Sequence, residues 1–404
     1  MKILHTSDWH LGHRLHEHSQ YEEQKRFLSW LKQYIDTQSV DVLLVAGDIF
    51  DTGVPSSQSL KLYYDFLIDL RSTSCRELVI TGGNHDAPGT LNAPKTLLEA
   101  LSVHVIGKAT EEITDELIDI EVNGEKLCVA AVPFLRDRDI RHAIAGESFD
   151  QIELRYKTAL INHYRLIAEH CLQRKEKGVP AIAMGHLFAI DAHTSDSEIG
   201  IYVGNTGHIG VRDFPEVFDY IALGHLHRPQ IVGNMQHIRY SGSPYVLSFS
   251  EIKYAKNIIE IQIEKNVIKK ISNIEIPNFR TLTRIRGNYE ECTRQLSLLS
   301  KQEYELPVWV ELVLDANSPQ SYAEIQDFVK EMPLEVLKVS LDKPRDQQGI
   351  ENALQKTKSV KEIKPEEVFK MKCEEEEFDL NAQPEILDAY EEILREIRDE
   401  EKFI

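Results

Sequence analysis

Several features that would place a chain of 404 residues in a special class are missing from this sequence. No apolar run approaches the roughly 18–20 residues that a transmembrane helix requires. The first residues lead directly into strand-like sequence and lack the apolar segment and small-residue cleavage site of a signal peptide. We therefore expect a cytoplasmic protein that does not associate with membranes.

Cysteine is scarce and is not arranged for metal binding or cross-linking. The five cysteines are Cys75, Cys128, Cys171, Cys292 and Cys373. Their odd number, their wide spacing and the absence of any CxxC motif argue against a disulfide framework and against a thiolate zinc site. These cysteines therefore fit the reducing environment of the cytoplasm.

The chain also lacks an excess of positive charge. It has 46 basic and 66 acidic side chains, which give a formal net charge of −20. Taken alone, that charge argues against binding to nucleic acids or to anionic membranes. However, residues 361–404 contain 16 of the acidic and only 7 of the basic side chains. Nearly half of the excess negative charge therefore lies in the last 44 residues, and the rest of the chain is much less acidic.

Short apolar segments alternate with amphipathic segments along the first two-thirds of the chain. The predicted strands are Lys2–His5, Val42–Ala46, Leu78–Thr81, Ala181–Met184 and Tyr220–Leu223. The predicted helices are Tyr21–Ile35, Leu60–Leu70, Leu91–Leu101 and Tyr156–Cys171. Strands that alternate with helices are typical of β-α-β units and of a sheet with parallel strands.

Two hairpins are predicted in the same region. Asn123-Gly124, a favoured two-residue turn, separates Leu117–Val122 from Lys126–Val132. Asn257–Ile263 and Val267–Ile276 form a second candidate pair. Because hairpins add antiparallel strands to the β-α-β units, we predict an α/β fold with a two-layer mixed β-sheet sandwich flanked by helices.

The pattern changes near Pro277, which predicts four segments. Residues 1–277 form the sandwich domain, and residues 278–342 read as β-α-β-α-β, a small α/β domain. Residues 343–364 are polar and poor in apolar side chains, as in a linker. The pattern of apolar residues in residues 365–404 predicts a pair of helices. The second helix would carry an apolar stripe opposite acidic residues.

Five short polar motifs follow predicted strands of the sandwich domain. Their candidate ligand residues are Asp8 and His10, Asp48, Asn84, His186, and His225 and His227. Ligands of open α/β sheets bind beyond the carboxyl ends of the strands, so residues from separate motifs are expected to meet there. Residues i and i+2 of an extended chain point to the same side, which suits the pairs Asp8/His10 and His225/His227.

Each motif taken alone has a simpler interpretation, as a turn, a helix cap or a buried histidine. Together, seven ligand-type residues in five motifs predict a site for two divalent metals. The donors are carboxylates, imidazoles and one amide, which suit Mn²⁺, Fe²⁺ or Zn²⁺ better than copper or an iron–sulfur cluster. Two ions about 3.5–4 Å apart are held together when one carboxylate bridges them.

The ordered motifs resemble the calcineurin-like metallophosphoesterase superfamily. The segments that carry the resemblance are Ser7–Gly12 (SDWHLG), Gly47–Asp51 (GDIFD), Gly83–Asp86 (GNHD), Ala222–Gln230 (ALGHLHRPQ) and Tyr240–Pro244 (YSGSP). The last two are similar to the branch of DNA double-strand-break repair nucleases that act with an SMC-like ATPase. The resemblance covers the whole chain, including the predicted small domain and the C-terminal helices.

This resemblance implies a role for each candidate residue. Asp8, His10, Asp48 and His227 would hold one metal, with Mn²⁺ as the expected ion and Fe²⁺, Zn²⁺ and Mg²⁺ as alternatives. Asp48, Asn84, His186 and His225 would hold the second, so Asp48 is the bridge. His85 would face the scissile phosphate as a general acid or charge stabiliser, and Asp51 would hydrogen-bond His85 and orient it.

The same resemblance implies partners. Residues 365–404 would bind the coiled coil of an SbcC-type ATPase, residues 278–342 would cap the active site, and Leu60–Leu70 with Leu91–Leu101 would form a homodimer interface. The expected activity is DNA exonuclease and endonuclease cleavage in recombination, repair and replication, in association with the nucleoid. Two alternatives remain at this point: a small-molecule metallophosphoesterase and a non-catalytic scaffold.

Overall fold

The computed structural model describes residues 1–140, 148–189, 209–315 and 322–342, together with Tyr390. Met1–Asp342 form one compact unit, and Lys343–Ile404 form a second unit. The predicted linker and the predicted helical pair therefore lie outside the described residues, apart from Tyr390. None of the described helices is both long enough and apolar enough to cross a bilayer.

Seventeen strands and eight α-helices are described in residues 1–342. In chain order, β1 to β17 are Lys2–Thr6, Arg14–Leu15, His18–Ser19, Val42–Ala46, Glu77–Thr81, Val103–Ile106, Leu117–Val122, Glu125–Ala131, Ala181–His186, Tyr220–Gly224, Gln230–Val232, Met235–Tyr240, Asn257–Glu264, Val267–Glu275, Leu282–Gly287, Val308–Asp315 and Leu334–Asp342. The described helices, α1 to α8, are Tyr21–Gln38, Ser57–Leu70, Pro88–Asn92, Lys95–Glu99, Asp137–Ile140, Phe149–Lys175, Tyr289–Leu299 and Tyr322–Val329.

Two six-stranded mixed sheets form the sandwich. The first has the order β14-β13-β1-β4-β5-β6, and its strands β1, β4, β5 and β6 are parallel. The second has the order β11-β12-β10-β9-β8-β7, and its strands β12, β10, β9 and β8 are parallel. This arrangement confirms the predicted two-layer mixed sandwich.

Apolar side chains fill the space between the two sheets. Val42, Leu44 and Val79 of the first sheet form one buried cluster with Val129 and Ile182 of the second. The other face of each sheet packs against helices: α1 and α2 cover the first sheet, and α6 covers the second. Strands covered on both faces are almost wholly apolar, which explains the continuous hydrophobic runs in the sequence.

Both predicted hairpins are present. Asn123 and Gly124 have φ angles of 54° and 80° between antiparallel β7 and β8. Lys265 and Asn266, with φ angles of 52° and 59°, connect β13 to β14 in the same way. Left-handed values at both central positions are those of a type I′ turn, whose twist matches that of the paired strands.

The prediction of a single helix over Leu91–Leu101 is wrong. Two five-residue helices, α3 and α4, occupy that stretch, and Pro94 lies between them at the N-cap of α4. Proline has no backbone N–H to donate to the carbonyl oxygen four residues earlier, so it interrupts the hydrogen bonds of a helix. A continuous helix therefore ends at this point.

The described residues of the predicted small domain, 278–342, have the predicted β-α-β-α-β order. Its three strands β15, β16 and β17 form one parallel sheet, and α7 and α8 pack around a separate apolar core. A second apolar cluster joins this domain to the sandwich domain, with Leu15 and Phe249 on one side and Trp309 and Leu337 on the other. Leu15 belongs to the short hairpin that follows the first polar motif.

Candidate metal centre

Side chains from both sheets meet beyond the carboxyl ends of their parallel strands. Asp8 and His10 follow β1, Asp48 follows β4, and Asn84 follows β5. His186 ends β9 in the second sheet, and His225 and His227 follow β10. The structure therefore brings all seven predicted ligand residues into one site, and six of them are buried.

The first half of this site consists of Asp8, His10 and His227. One ligand atom from each lies within 4.8 Å of the others. Both ring nitrogens of His10 are buried, and neither makes a hydrogen bond of good geometry, although Asp51 Oδ1 lies 3.2 Å from Nδ1 and Asp48 Oδ2 lies 3.5 Å from Nε2. Buried polar atoms without partners are uncommon and call for an explanation such as a bound ion. The donor set and these two nitrogens therefore fit a divalent metal.

The second half consists of Asp48, His186 and His225, whose ligand atoms also lie within 4.8 Å of one another. The amide oxygen Oδ1 of Asn84 lies 2.9 Å from His186 Nε2 and 3.0 Å from His225 Nδ1. The same four residues are those that the resemblance assigns to the second metal.

Asp48 lies between the two halves. Its carboxylate oxygen Oδ2 is 3.5 Å from His10 Nε2 and 3.2 Å from His186 Nε2. Its other oxygen, Oδ1, accepts a hydrogen bond of 2.9 Å from the backbone N–H of His85. One oxygen thus faces both groups of ligands, which is the position that a bridging carboxylate requires.

The backbone adopts left-handed conformations at several of these residues. The φ angles are 53° at Asp8, 42° at His10, 50° at Asp48 and 101° at His225. Residues other than glycine rarely adopt such values, and each occurrence costs on the order of 1–3 kcal/mol. The surrounding sheets hold these residues in place, so the side chains reach the site at the expense of backbone strain.

Glycines next to the motifs allow the two sheets to approach closely. A Cβ atom at Gly224 would lie 1.8 Å from the carbonyl oxygen of Ala46. One at Gly47 would lie 2.1 Å from His186 Nδ1, and one at Gly83 would lie 2.1 Å from Asp48 Oδ1. Any larger residue at these positions would therefore displace a ligand or the strand that carries it.

Burial and mutual charge shift the pKa values of the ligands in opposite directions. Burial raises the pKa of Asp8, and burial lowers the pKa of His225 to about 3. Burial also opposes a charge on His186, but the carboxylates of Asp48 and Asp8 outweigh it and raise the pKa of His186 to about 9. The two carboxylates thus favour positive charge at the centre of the site, which a proton or a divalent cation can supply.

His186 is oriented by the backbone of the opposite sheet. Its Nδ1 lies 2.9 Å from the carbonyl oxygen of Ala46, and its Nε2 faces the oxygens of Asn84 and Asp48. Because both nitrogens face acceptors, a ring without metal satisfies them only when both carry protons. A metal at Nε2 would replace one of those protons and leave the bond to Ala46 intact.

His85 lies at the edge of the first half, with its ring centroid 4.8 Å from that of His10. Its Nδ1 is 2.8 Å from the backbone carbonyl oxygen of Asp51. The Asp51 carboxylate instead lies 3.2 Å from His10 Nδ1 and 2.8 Å from His13 Nδ1. The hydrogen bond between Asp51 and His85 is therefore present, but it comes from the main chain, and the carboxylate faces other histidines.

Sequence reasoning missed a buried pair behind His227. Glu251 Oε1 lies 3.2 Å from His227 Nδ1, and Glu251 Oε2 lies 2.6 Å from Lys256 Nζ. Burial opposes the charge on Glu251, but Lys256 and His227 hold the pKa of Glu251 below its usual range. A carboxylate that accepts from one imidazole nitrogen directs the other nitrogen towards a metal.

A second missed residue, Asp86, ties two of the motifs together. Its carboxylate accepts hydrogen bonds from the backbone N–H groups of Ile49 (3.1 Å), Phe50 (3.0 Å) and Gly83 (2.9 Å). Burial raises the pKa of Asp86 to about 6, and the charge of Asp48 contributes to that shift. Its place in the GNHD motif was visible in the sequence, but its backbone partners were not.

Two family models and several known proteins match this sequence. The family model described as Calcineurin-like phosphoesterase matches residues 1–229, and the one described as Type 5 capsule protein repressor C-terminal domain matches residues 278–377. The SbcD subunit of the nuclease SbcCD from Escherichia coli (strain K12) is 34% identical over 386 residues, which cover 95% of each chain.

Two further relatives carry the same name. The protein from Bacillus subtilis (strain 168) is 35% identical over 263 residues, which cover 64% of this chain and 65% of that protein. The protein from Rhodobacter capsulatus is 35% identical over 265 residues, which cover 63% of this chain and 64% of that protein. The similarity therefore extends over nearly two-thirds of the chain in these two relatives and over almost the full length in the Escherichia coli protein.

Proposed function

The chain belongs to the calcineurin-like phosphoesterase family and, within it, to the SbcD nucleases, and we propose that its metal centre hydrolyses phosphodiester bonds of DNA. The observation that carries this proposal is the Asp48 carboxylate, whose Oδ2 faces ligands of both halves. Two metals act together on a phosphodiester when they lie about 3.5–4 Å apart, and a carboxylate between them can hold them at that spacing.

We assign two divalent cations to the seven ligands. Asp8, His10, Asp48 and His227 hold the first, and Asp48, Asn84, His186 and His225 hold the second. Mn²⁺ is the ion we propose on the basis of the family resemblance, and the donors, which include no thiolate, also suit Fe²⁺ and Zn²⁺. When bound, the two cations would supply positive charge to the phosphate oxygens and lower the pKa of the attacking water.

We assign the proton transfer to His85. The backbone carbonyl of Asp51 accepts from Nδ1 at 2.8 Å, which directs Nε2 away from that contact. The departing 3′ oxygen needs a proton or a hydrogen-bond donor, and an imidazole provides either near neutral pH. Asp51 is a positioning residue: its carbonyl orients His85, and its carboxylate lies against His10.

The partner proposals concern other parts of the chain. We propose that residues 365–404 bind a coiled-coil ATPase of the SbcC type, as the name of the relatives implies a complex. We also propose a homodimer through the surface around α2 and α4, where Ile68 is 63% exposed and Leu97 is 68% exposed. A second chain laid over α2 and α4 would remove these two side chains from water.

One assay with parallel substrates tests the catalytic proposal. The full chain and Mn²⁺ are incubated with linear duplex DNA, hairpin DNA and p-nitrophenyl phosphate, each with and without the ATPase and ATP. We expect cleavage of both DNA substrates, stimulated by the ATPase and ATP, and little turnover of the small monoester.

Truncation after Asp346 tests the partner proposal: it should abolish ATPase binding while metal-dependent cleavage of small diesters persists.

The two alternatives predict different results in the same assay. A small-molecule phosphoesterase would turn over p-nitrophenyl phosphate selectively, and a non-catalytic scaffold would leave all substrates intact. The family assignment favours neither, since the relatives are named as nuclease subunits and the ligand set is complete.

Light scattering of the full chain tests the proposed homodimer, and an Ile68→Glu/Leu97→Glu variant should be monomeric.

A further inference from the structure

The segment after the last two histidine ligands brings two cations onto one aromatic ring. The Arg228 guanidinium carbon lies 4.6 Å from the centroid of the Tyr254 ring, and Lys253 Nζ lies 5.2 Å from the same centroid. Arg228 directly follows the proposed ligand His227. These three residues, Arg228, Lys253 and Tyr254, are called the basic ring patch below.

Neither cation of the patch has an acidic partner in the part of the chain that the structure describes. Other arginines on the surface do: Arg174 makes two bonds to Asp119, at 2.6 and 2.8 Å, and Arg294 makes two to Glu291, at 2.9 and 2.7 Å. In a chain with a net charge of −20, two neighbouring cations without a carboxylate form a local positive site.

The backbone beneath Arg228 is fixed from two sides. The carbonyl oxygen of His227 accepts a bond of 3.2 Å from the backbone N–H of Ser243 and another of 3.2 Å from Lys256 Nζ. A Cβ atom at Gly242 would lie 2.7 Å from that same oxygen, so the SGSP segment packs tightly against it. This gives the SGSP motif a structural role: it holds the residues that follow the ligand.

The main chain of Tyr254 is held by the same network. The backbone N–H of Tyr254 donates a bond of 3.0 Å to the carbonyl oxygen of Glu251, whose carboxylate contacts both His227 and Lys256. A guanidinium that lies over an aromatic ring keeps the N–H groups of its edge available for a phosphate. The main chain that carries Arg228 and Tyr254 is therefore held in place before any substrate arrives.

We propose that the basic ring patch binds a backbone phosphate of the DNA strand next to the scissile phosphate. The proposal rests on the proposed nuclease function, because it assigns part of that substrate's binding site. Arg228 and Lys253 provide the charge, and Tyr254 positions the guanidinium. The test uses single-stranded DNA. The phosphates of a single strand can reach a partly buried arginine, and no duplex groove has to fit around it.

The test measures how DNA binding depends on salt. A fluorescein-labelled single-stranded oligonucleotide is titrated with the full chain in Ca²⁺, which limits turnover, over a series of salt concentrations. Each phosphate contact contributes about 0.7 to the slope of log K against log salt. An Arg228→Gln/Lys253→Gln variant loses the contact to this one phosphate, so the slope should fall by about 0.7 and binding should weaken roughly tenfold.

A matched control removes the same charge elsewhere. Lys269→Gln/Lys270→Gln changes two exposed lysines of the edge strand β14. Lys270 pairs with Gln262, which pairs with Lys2 at the start of β1, whereas the metal ligands follow the other end of β1. This variant should keep the wild-type slope, and Tyr254→Phe should stay closer to wild type than Tyr254→Leu.

Hydrolysis of bis(p-nitrophenyl) phosphate in Mn²⁺ separates the patch from the metal centre. This small diester has no neighbouring phosphate, so the Arg228→Gln/Lys253→Gln variant should hydrolyse it at the wild-type rate. The proposal is overturned if the variant keeps the slope of the lysine control, or if it loses the small diester and DNA equally. If the wild type hydrolyses neither substrate, the nuclease proposal fails, while the salt slope still decides whether the patch binds DNA.

Discussion

The two halves of the metal centre are supported by different parts of the molecule. In the half with Asp8, His10 and His227, side-chain carboxylates lie behind the imidazoles: Asp51 at 3.2 Å from His10 and Glu251 at 3.2 Å from His227. Both carboxylates come from loops. A carboxylate behind an imidazole makes the ring a more basic ligand and adds negative charge around a metal.

The half with Asp48, His186 and His225 is supported mainly by backbone. His186 Nδ1 contacts the carbonyl oxygen of Ala46, a residue of β4 in the opposite sheet. A neutral carbonyl orients the ring without adding a charge. The comparison shows that one half depends on side chains that a substitution can remove, whereas the other depends on how closely two strands approach. The predictions below test that difference.

The largest loss of metal and of activity is expected from a substitution of Asp48, which lies where the two halves meet. Asp48→Ala removes the oxygen that faces both His10 and His186, so both metals should be lost and hydrolysis should fall to background. Elemental analysis of the purified protein measures the metal content. Asp65→Ala, which removes a surface carboxylate paired with Lys61, is the control. Normal occupancy of two metals in Asp48→Ala would rule out the bridge.

Next in size is the effect of removing His85, which belongs to neither half. His85→Ala should keep both metals, because the residue's backbone N–H, not its ring, contacts Asp48. Activity should fall by about 10²- to 10⁴-fold, the usual range for a lost general acid. Metal content and turnover are measured on the same sample. Full activity in metal-replete protein would contradict the assigned role.

A smaller effect is expected from a substitution that adds an atom between the strands of the half supported by backbone. The quantity that falls is the free energy of unfolding. Gly224→Ala places a methyl group against the Ala46 carbonyl, which orients His186. Overpacking a close contact of this kind costs about 1–3 kcal/mol, and urea unfolding measures the loss. Gly89→Ala is the control, since its Cβ would meet nothing within 4 Å. If the two variants have the same free energy of unfolding, then the strands that carry Gly224 and Ala46 can move apart without loss of stability.

Much of the fold and of the ligand set could be predicted from sequence, because both depend on local patterns. The ligands lie at strand ends, where the parallel-strand rule brings Asp8, Asp48 and His225 together. Glu251 could not be predicted: it lies 24 residues after His227, in a segment without a motif, and only tertiary packing joins them. For the same reason the sequence did not reveal that the Asp51 carboxylate faces His10. Pro94 did signal the helix break that was missed.

The smallest effect is expected from neutralising one supporting carboxylate in the first half. Asp51→Asn keeps the size of the side chain, and its backbone carbonyl still orients His85. The charge behind His10 is lost, so affinity for one of the two metals should fall by about tenfold, the lower end of the range for such partners. Stepwise metal titration by calorimetry should show one weakened site and one unchanged site.

The control for that variant is a carboxylate–histidine pair away from the metals. Glu77 lies 2.9 Å from His104, and its side chain is 25% exposed, close to the 27% of Asp51. Glu77→Gln should therefore leave both metal affinities unchanged. If Asp51→Asn weakens both sites equally, the carboxylate acts through the field of the whole centre rather than through His10. In that case, the distinction between a half supported by side chains and a half supported by backbone does not hold for metal binding.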